Sequence, residues 1–87
     1  MSESYELDAF VEQDGVRRPF HLRISEPERT PGGEDCFCRV AAPLLLGKEK
    51  NIYGVDEKQA RTLAFQFIRE LLGELRLVDG TGRPVRF

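Results

Sequence analysis

The sequence predicts an α+β fold of order β-β-β-α-β-β, an antiparallel sheet with a single helix packed on one face. Three observations carry this. Asp56 to Leu75 is one long segment whose apolar residues recur on the helical period. Asp14-Gly15 sits between two alternating runs, the signal of a tight hairpin. A second Asp-Gly pair, Asp79-Gly80, separates two short runs near the end of the chain. With no repeat or linker and 87 residues, a single domain spanning 1–87 is expected.

The first twenty-five residues form a hairpin whose register follows from its turn. Asp14-Gly15 suits the positive φ angles of a type I′ turn, so Gln13 faces Val16. Counting outward, Ala9 faces Phe20, Leu7 faces Leu22 and Tyr5 faces Ile24, all on one side. The other side pairs Glu12 with Arg17, Asp8 with His21 and Glu6 with Arg23. A slip of one residue would destroy both sets at once.

Ser25 to Glu34, with two prolines and Gly32-Gly33, reads as a loop. Asp35 to Ala42 is the third strand, with Cys36, Cys38, Val40 and Ala42 inward and Phe37, Arg39 and Ala41 outward. Pro43 ends it, and residues 43–55 form a long connection with Leu44 to Leu46 and Ile52-Tyr53 as apolar anchors.

The helix carries its own start signals. Asp56 can cap the first turn, Gln59 can reach back to the cap's N–H, and Val55 can staple onto Ala60. Its stripe comprises Ala60, Leu63, Ala64, Phe67, Ile68, Leu71 and Leu75, centred near Phe67 and Leu71, with Phe65 and Leu72 at one edge. The closing hairpin joins Leu75–Val78 to Arg83–Phe87, with Leu77, Val85 and Phe87 as burial candidates; Pro84 puts the last strand on an edge.

The stretch IYGVDEKQARTLAFQFIRELL, with its Tyr-Gly-Val-Asp segment and Gln-Ala pair, resembles a family of small bacterial proteins known only as a domain of unknown function. That family has a similar closing D-G-x-x-x-P/V hairpin. The resemblance rests on Gly54, Asp56, Gln59 and Ala60, implies a bacterial origin and a compact α+β domain, and brings no activity with it.

Charge and chemistry narrow the function classes. The net charge of −2 includes no basic stripe able to neutralise phosphates, which argues against nucleic acid. No stretch resembles a membrane span, and the acidic start MSESYELD is unlike a signal peptide, so a cytoplasmic protein with no membrane partner is expected. A Cys–His–Asp set of His21, Asp8 and Cys36 or Cys38 fails on parity. The thiols fall on the inward side and the imidazole on the polar side. Two thiols and one histidine fall short of a zinc site, so no metal and no cofactor is expected, and Gly47-Lys48-Glu49-Lys50 lacks P-loop spacing.

Association remains. Phe10 and Phe37 point away from the helix, and Phe65 and Leu72 lie at the stripe's edge, with no evident intrachain partner for Phe65. Together they suggest an interface, most simply with a second copy, unless residues 43–55 fold over them. The expectation is a non-enzymatic protein-binding or assembly module, a homodimer of the size of an immunity protein or regulatory subunit. The alternative is a small-molecule site or minor enzyme at a dimer cleft near His21, with Asp8, Arg39 and Tyr53.

Overall fold

The structure, a computed structural model, describes residues 4–73 and 75–86. Its elements are β1 (Tyr5–Gln13), β2 (Val16–Ile24), β3 (Glu28–Arg29), β4 (Cys36–Ala41), β5 (Lys50–Gly54), α1 (Glu57–Leu72) and β6 (Arg76–Val78). The six strands make one antiparallel sheet that carries the helix on one face, the α+β class the sequence predicts. Two strands, β3 and β5, stand where loops were expected.

The hairpin has the deduced register throughout, from Gln13↔Val16 to Tyr5↔Ile24. Asp14 and Gly15 take φ of 53° and 77°, the left-handed pair that a type I′ turn demands. Ala9, Val11, Phe20, Leu22 and Ile24 are buried, while Tyr5 and Leu7 pack half-buried at the margin of the same core.

β5 lies along one edge of β4 from Cys36 to Val40, so β2 and β3 must share the other. They do so as one strand interrupted by a bulge. The register moves by one residue between Ile24↔Val40 and Glu28↔Phe37. Ser25 bridges the break: its N–H donates to the Arg39 carbonyl at 2.9 Å, and its Oγ accepts from the Arg39 N–H at 2.8 Å. A side chain thus replaces a backbone acceptor, which is how a ladder survives beside Pro27.

α1 packs on β4 and β5 in near-equal measure. Asp56 caps it, accepting the Gln59 N–H at 2.7 Å. Gln59 Oε1 reaches past the cap to the Val55 N–H at 2.7 Å instead of bonding Asp56. The expected staple is absent, because Val55 is 67% exposed and Ala60 packs against Gly54. A Cβ on Gly54 would lie 2.8 Å from the Ala60 Cα, so strand and helix touch backbone to backbone. The buried line is Ala60, Ala64, Ile68 and Leu72. It is rotated about 60° from the expected centre at 3.6 residues per turn. Small side chains let this seam approach the sheet, and Leu63, Phe67 and Leu71 are left half-buried on one flank.

The helix stops at Leu72, short of the expected Leu75, because Gly73 takes φ 51° and donates its N–H to the Arg69 carbonyl. The closing hairpin keeps one full arm, β6, paired with β1. Its second arm is reduced to the bridge Val78↔Pro84, flanked by the Val85 N–H to Leu77 carbonyl and Asp79 N–H to Arg83 carbonyl bonds, both at 2.9 Å. Leu77 is buried and Val85 half-buried, whereas Phe87 lies outside the described residues.

Candidate partner-binding site

The hairpin's parity places the charged residues of its strands, Arg18 excepted, on the sheet face turned away from α1. Arg17 Nε donates to Glu12 Oε2 at 3.0 Å, His21 Nδ1 lies 2.6 Å from Asp8 Oδ1, and Arg23 Nε lies 3.6 Å from Glu6 Oε1. On the same face Arg39 pairs with Glu28 at 3.3 Å and stands over the Phe37 ring. Phe37 meets Tyr53 with ring centroids 5.6 Å apart.

These residues do not converge on one catalytic centre. Arg39 is level with Ser25, four residues along the strand from His21 and so about 13 Å away. Arg39 and Tyr53 therefore belong with Phe37 at one end of the face, and His21 with Asp8 nearer the other. Both thiols are free and buried on the helix side, opposite the imidazole as parity requires. Burial pushes the Cys38 thiol up, against the opposing pull of Arg61. No group of histidine, cysteine and carboxylate ligands suited to a metal is found among the described residues.

The four candidate interface residues are also dispersed. Phe10 is half-buried beneath the closing turn, with Gly80 against its ring and Val78, buried, across the β1/β6 pair. Phe65 has an intrachain partner after all: Tyr5 packs edge-on against it at 5.1 Å, and the Arg61 guanidinium lies over it. Leu72, expected at the stripe's edge, is 8% exposed because the seam is rotated toward it. Phe37 keeps a half-exposed ring beside Tyr53.

A concave site does exist beside His21, and sequence reasoning missed most of it. β2 is a nine-residue strand, but β4 pairs with only Arg23 and Ile24 of it before Pro43 turns the chain away. The gap leaves a depression of about 390 Å³ between Pro19, Phe20 and His21 on one side and Pro43 and Leu44 on the other. Since Ser25 and Arg23 direct their backbone groups toward β4, alternation points those of Arg17, Pro19 and His21 toward this gap. Pro19 is tolerated in mid-strand for that reason: its missing N–H would have faced the open edge. Pro19 inside an alternating run, and Pro43 closing a strand shorter than its neighbour, were the available signals.

No helix of the described residues is long and apolar enough to cross a membrane. No family model, curated protein or solved structure matches the chain.

Proposed function

We propose that this chain is a non-catalytic protein-binding module that receives an extended, acidic segment of another protein along the free edge of β2. The observation that supports it is the coincidence of backbone groups at Arg17, Pro19 and His21 that have no strand partner on this side among the described residues with an apolar depression walled by Pro43 and Leu44. Extended segments bind in this way, through main-chain hydrogen bonds along an edge and pockets for alternate side chains. The strand's own charge selects the partner. β2 carries Arg17, Arg18, His21 and Arg23 and no carboxylate. Its pairs with Glu12, Asp8 and Glu6 are solvent-exposed, and such pairs hold only ~0–1 kcal/mol, so an incoming carboxylate can exchange with them.

A second reading draws on the same concavity. At about 390 Å³ it falls in the size range of small-ligand sites, with the His21–Asp8 pair at its rim. Panning a displayed peptide library on the full chain separates the two. The expected ligands carry Asp or Glu beside an apolar anchor, shift the amide resonances of Arg17 and His21, and weaken about tenfold or more on Leu44→Asp. Ligands indifferent to Leu44→Asp, or no enrichment at all, refute the proposal. A fragment screen whose hits fill the depression while panning enriches nothing favours the small-molecule reading.

A further inference from the structure

The sheet has a second open edge, and it differs from the first. Among the described residues β5 pairs with β4 alone, so its outer side is unpaired along its whole length. Native edges are blunted with proline, charge or bulges. β2 has Pro19 and several arginines, whereas Lys50–Gly54 contains no proline, has as its one charge Lys50, whose ammonium is drawn over the Phe67 ring, ends in a glycine and carries the 53% exposed Tyr53, with Val55 at 67% just beyond.

The direction of the backbone groups on this edge can be deduced. Arg39 exchanges both of its main-chain hydrogen bonds with Ser25, so neither points at β5. Arg39↔Asn51 is therefore a non-hydrogen-bonded pair, and by alternation so is Phe37↔Tyr53. Side chains approach closely in such pairs, as the rings of Phe37 and Tyr53 do. It follows that the N–H and C=O of Asn51 and of Tyr53 project outward from the sheet.

We infer that β5 is a homodimer interface, in which two copies join their β5 strands antiparallel about a two-fold axis between the two Ile52 residues. Only this register bonds all the outward groups to one another, with Asn51 of each copy opposite Tyr53 of the other. An isologous contact must be self-complementary, and this one is. The basic end of the strand, Lys50, meets Gly54 of the second copy, where Asp56 and Glu57 follow directly. Ile52, half-buried in one chain, packs against its own counterpart.

The helix supplies an independent observation. Lys50 Nζ stands over the Phe67 ring on the β5 side, whereas Phe65 meets Tyr5 on the β1 side. The half-buried row Leu63, Phe67 and Leu71 therefore flanks the open edge. The apolar stripe extends past the buried line on this side, where Phe67 and Leu71 pack against the core yet keep part of their surface open. With α1 over the seam between β4 and β5, a strand spacing near 4.8 Å puts the two helices about 10 Å apart across the axis, the distance at which helices pack. The second copy thus covers the half-buried row and the open edge together.

Two variants of the full chain test this. Asn51→Pro removes an outward N–H without touching the β4 ladder, and should weaken dimerisation about tenfold or more in sedimentation equilibrium while circular dichroism stays native. Ile52→Cys should form an intermolecular disulfide under mild oxidation, since self-paired residues at a non-hydrogen-bonded position bring their Cβ atoms within bonding reach. A chain that sediments as a monomer at about 100 μM, or a dimer that persists in Asn51→Pro, overturns the inference. So does a dimer whose Ile52→Cys form resists cross-linking, which keeps the question open to refutation even if the proline variant unfolds.

Discussion

Gly54→Ala isolates the backbone-to-backbone approach of β5 and α1. The added Cβ would lie 2.8 Å from the Ala60 Cα and from the Gln59 carbonyl carbon, where ordinary contact begins at 3.4 Å. The obstructing atoms are backbone, so the first turn of α1 must retreat by roughly 0.6 Å or more, the difference of those two distances. Overpacking of this kind costs ~1–3 kcal/mol. Against it stands a gain of ~0.4–1 kcal/mol from removing glycine's freedom in the unfolded chain, since Gly54 is not held at positive φ. The expected net loss is ~1–2 kcal/mol, or several degrees in Tm for a domain of this size at ~4–8 °C per kcal/mol. Urea denaturation with an unchanged m-value measures it. Gly47→Ala is the control, because its Cβ would meet nothing within 4 Å and it too avoids positive φ, so it should be neutral or slightly stabilising. A Gly54→Ala chain as stable as Gly47→Ala would refute the backbone contact between strand and helix.

Three further outcomes follow from named groups. Asp56→Ala removes the acceptor for the Gln59 N–H and should cost ~0.5–2 kcal/mol in the same denaturation assay; an unchanged midpoint would show that the cap contributes nothing. Asp79 accepts from the Thr81 hydroxyl and from the Arg83 and Thr81 N–H groups, and these bonds hold its carboxyl below the ordinary value of 3.8. A lowered folded pKa means the turn's stabilisation is present above the ordinary value and lost as pH falls through the lowered one, so the Asp79 carboxyl resonance should titrate below pH 3.8, and a midpoint at or above it contradicts the hydrogen bonds. The Cys38 thiol is pushed up by burial, so it stays protonated in the fold, and its contribution is present below the unfolded thiol pKa and fades as pH rises through the higher folded value. Alkylation at neutral pH should therefore follow global unfolding, and rapid labelling of the native chain would place the thiols on the surface.

What was legible in the sequence was what local chemistry decides. Asp14-Gly15 allows one turn and that turn allows one register, so every pair from Tyr5↔Ile24 onward followed. β5 was not legible because two of its core-side positions are set by the helix above and not by the strand itself. Gly54 is glycine because Ala60 sits against it, and Lys50 is tolerated inward because its ammonium lies over Phe67. Both erase the apolar alternation by which a strand is recognised. β3 was hidden for a related reason, since the hydroxyl of Ser25 keeps the ladder going beside Pro27. The candidate site suffered most. Size and parity alone point to Phe10, Phe37, Phe65 and Leu72, whereas the depression beside His21 arises from where β4 stops.

The misplaced centre of the helical stripe is the most informative of these differences. A helical wheel weights residues by hydrophobicity and so centres on Phe67 and Leu71, but a helix approaches a sheet where its side chains are smallest. Ala60 against Gly54, with Ala64 in the same core as Cys36 and Cys38, lets α1 settle closely, and that geometry pushes the large residues to the flanks. On one flank Phe65 is covered by Tyr5 from the hairpin. On the other, among the described residues, no strand but β4 pairs with β5. A helix that needed only to cover its own sheet could place polar residues at Leu63, Phe67 and Leu71. Their apolar character is matched by an edge whose backbone groups fit a second copy, which ties the surplus in the pattern to the gap in the sheet.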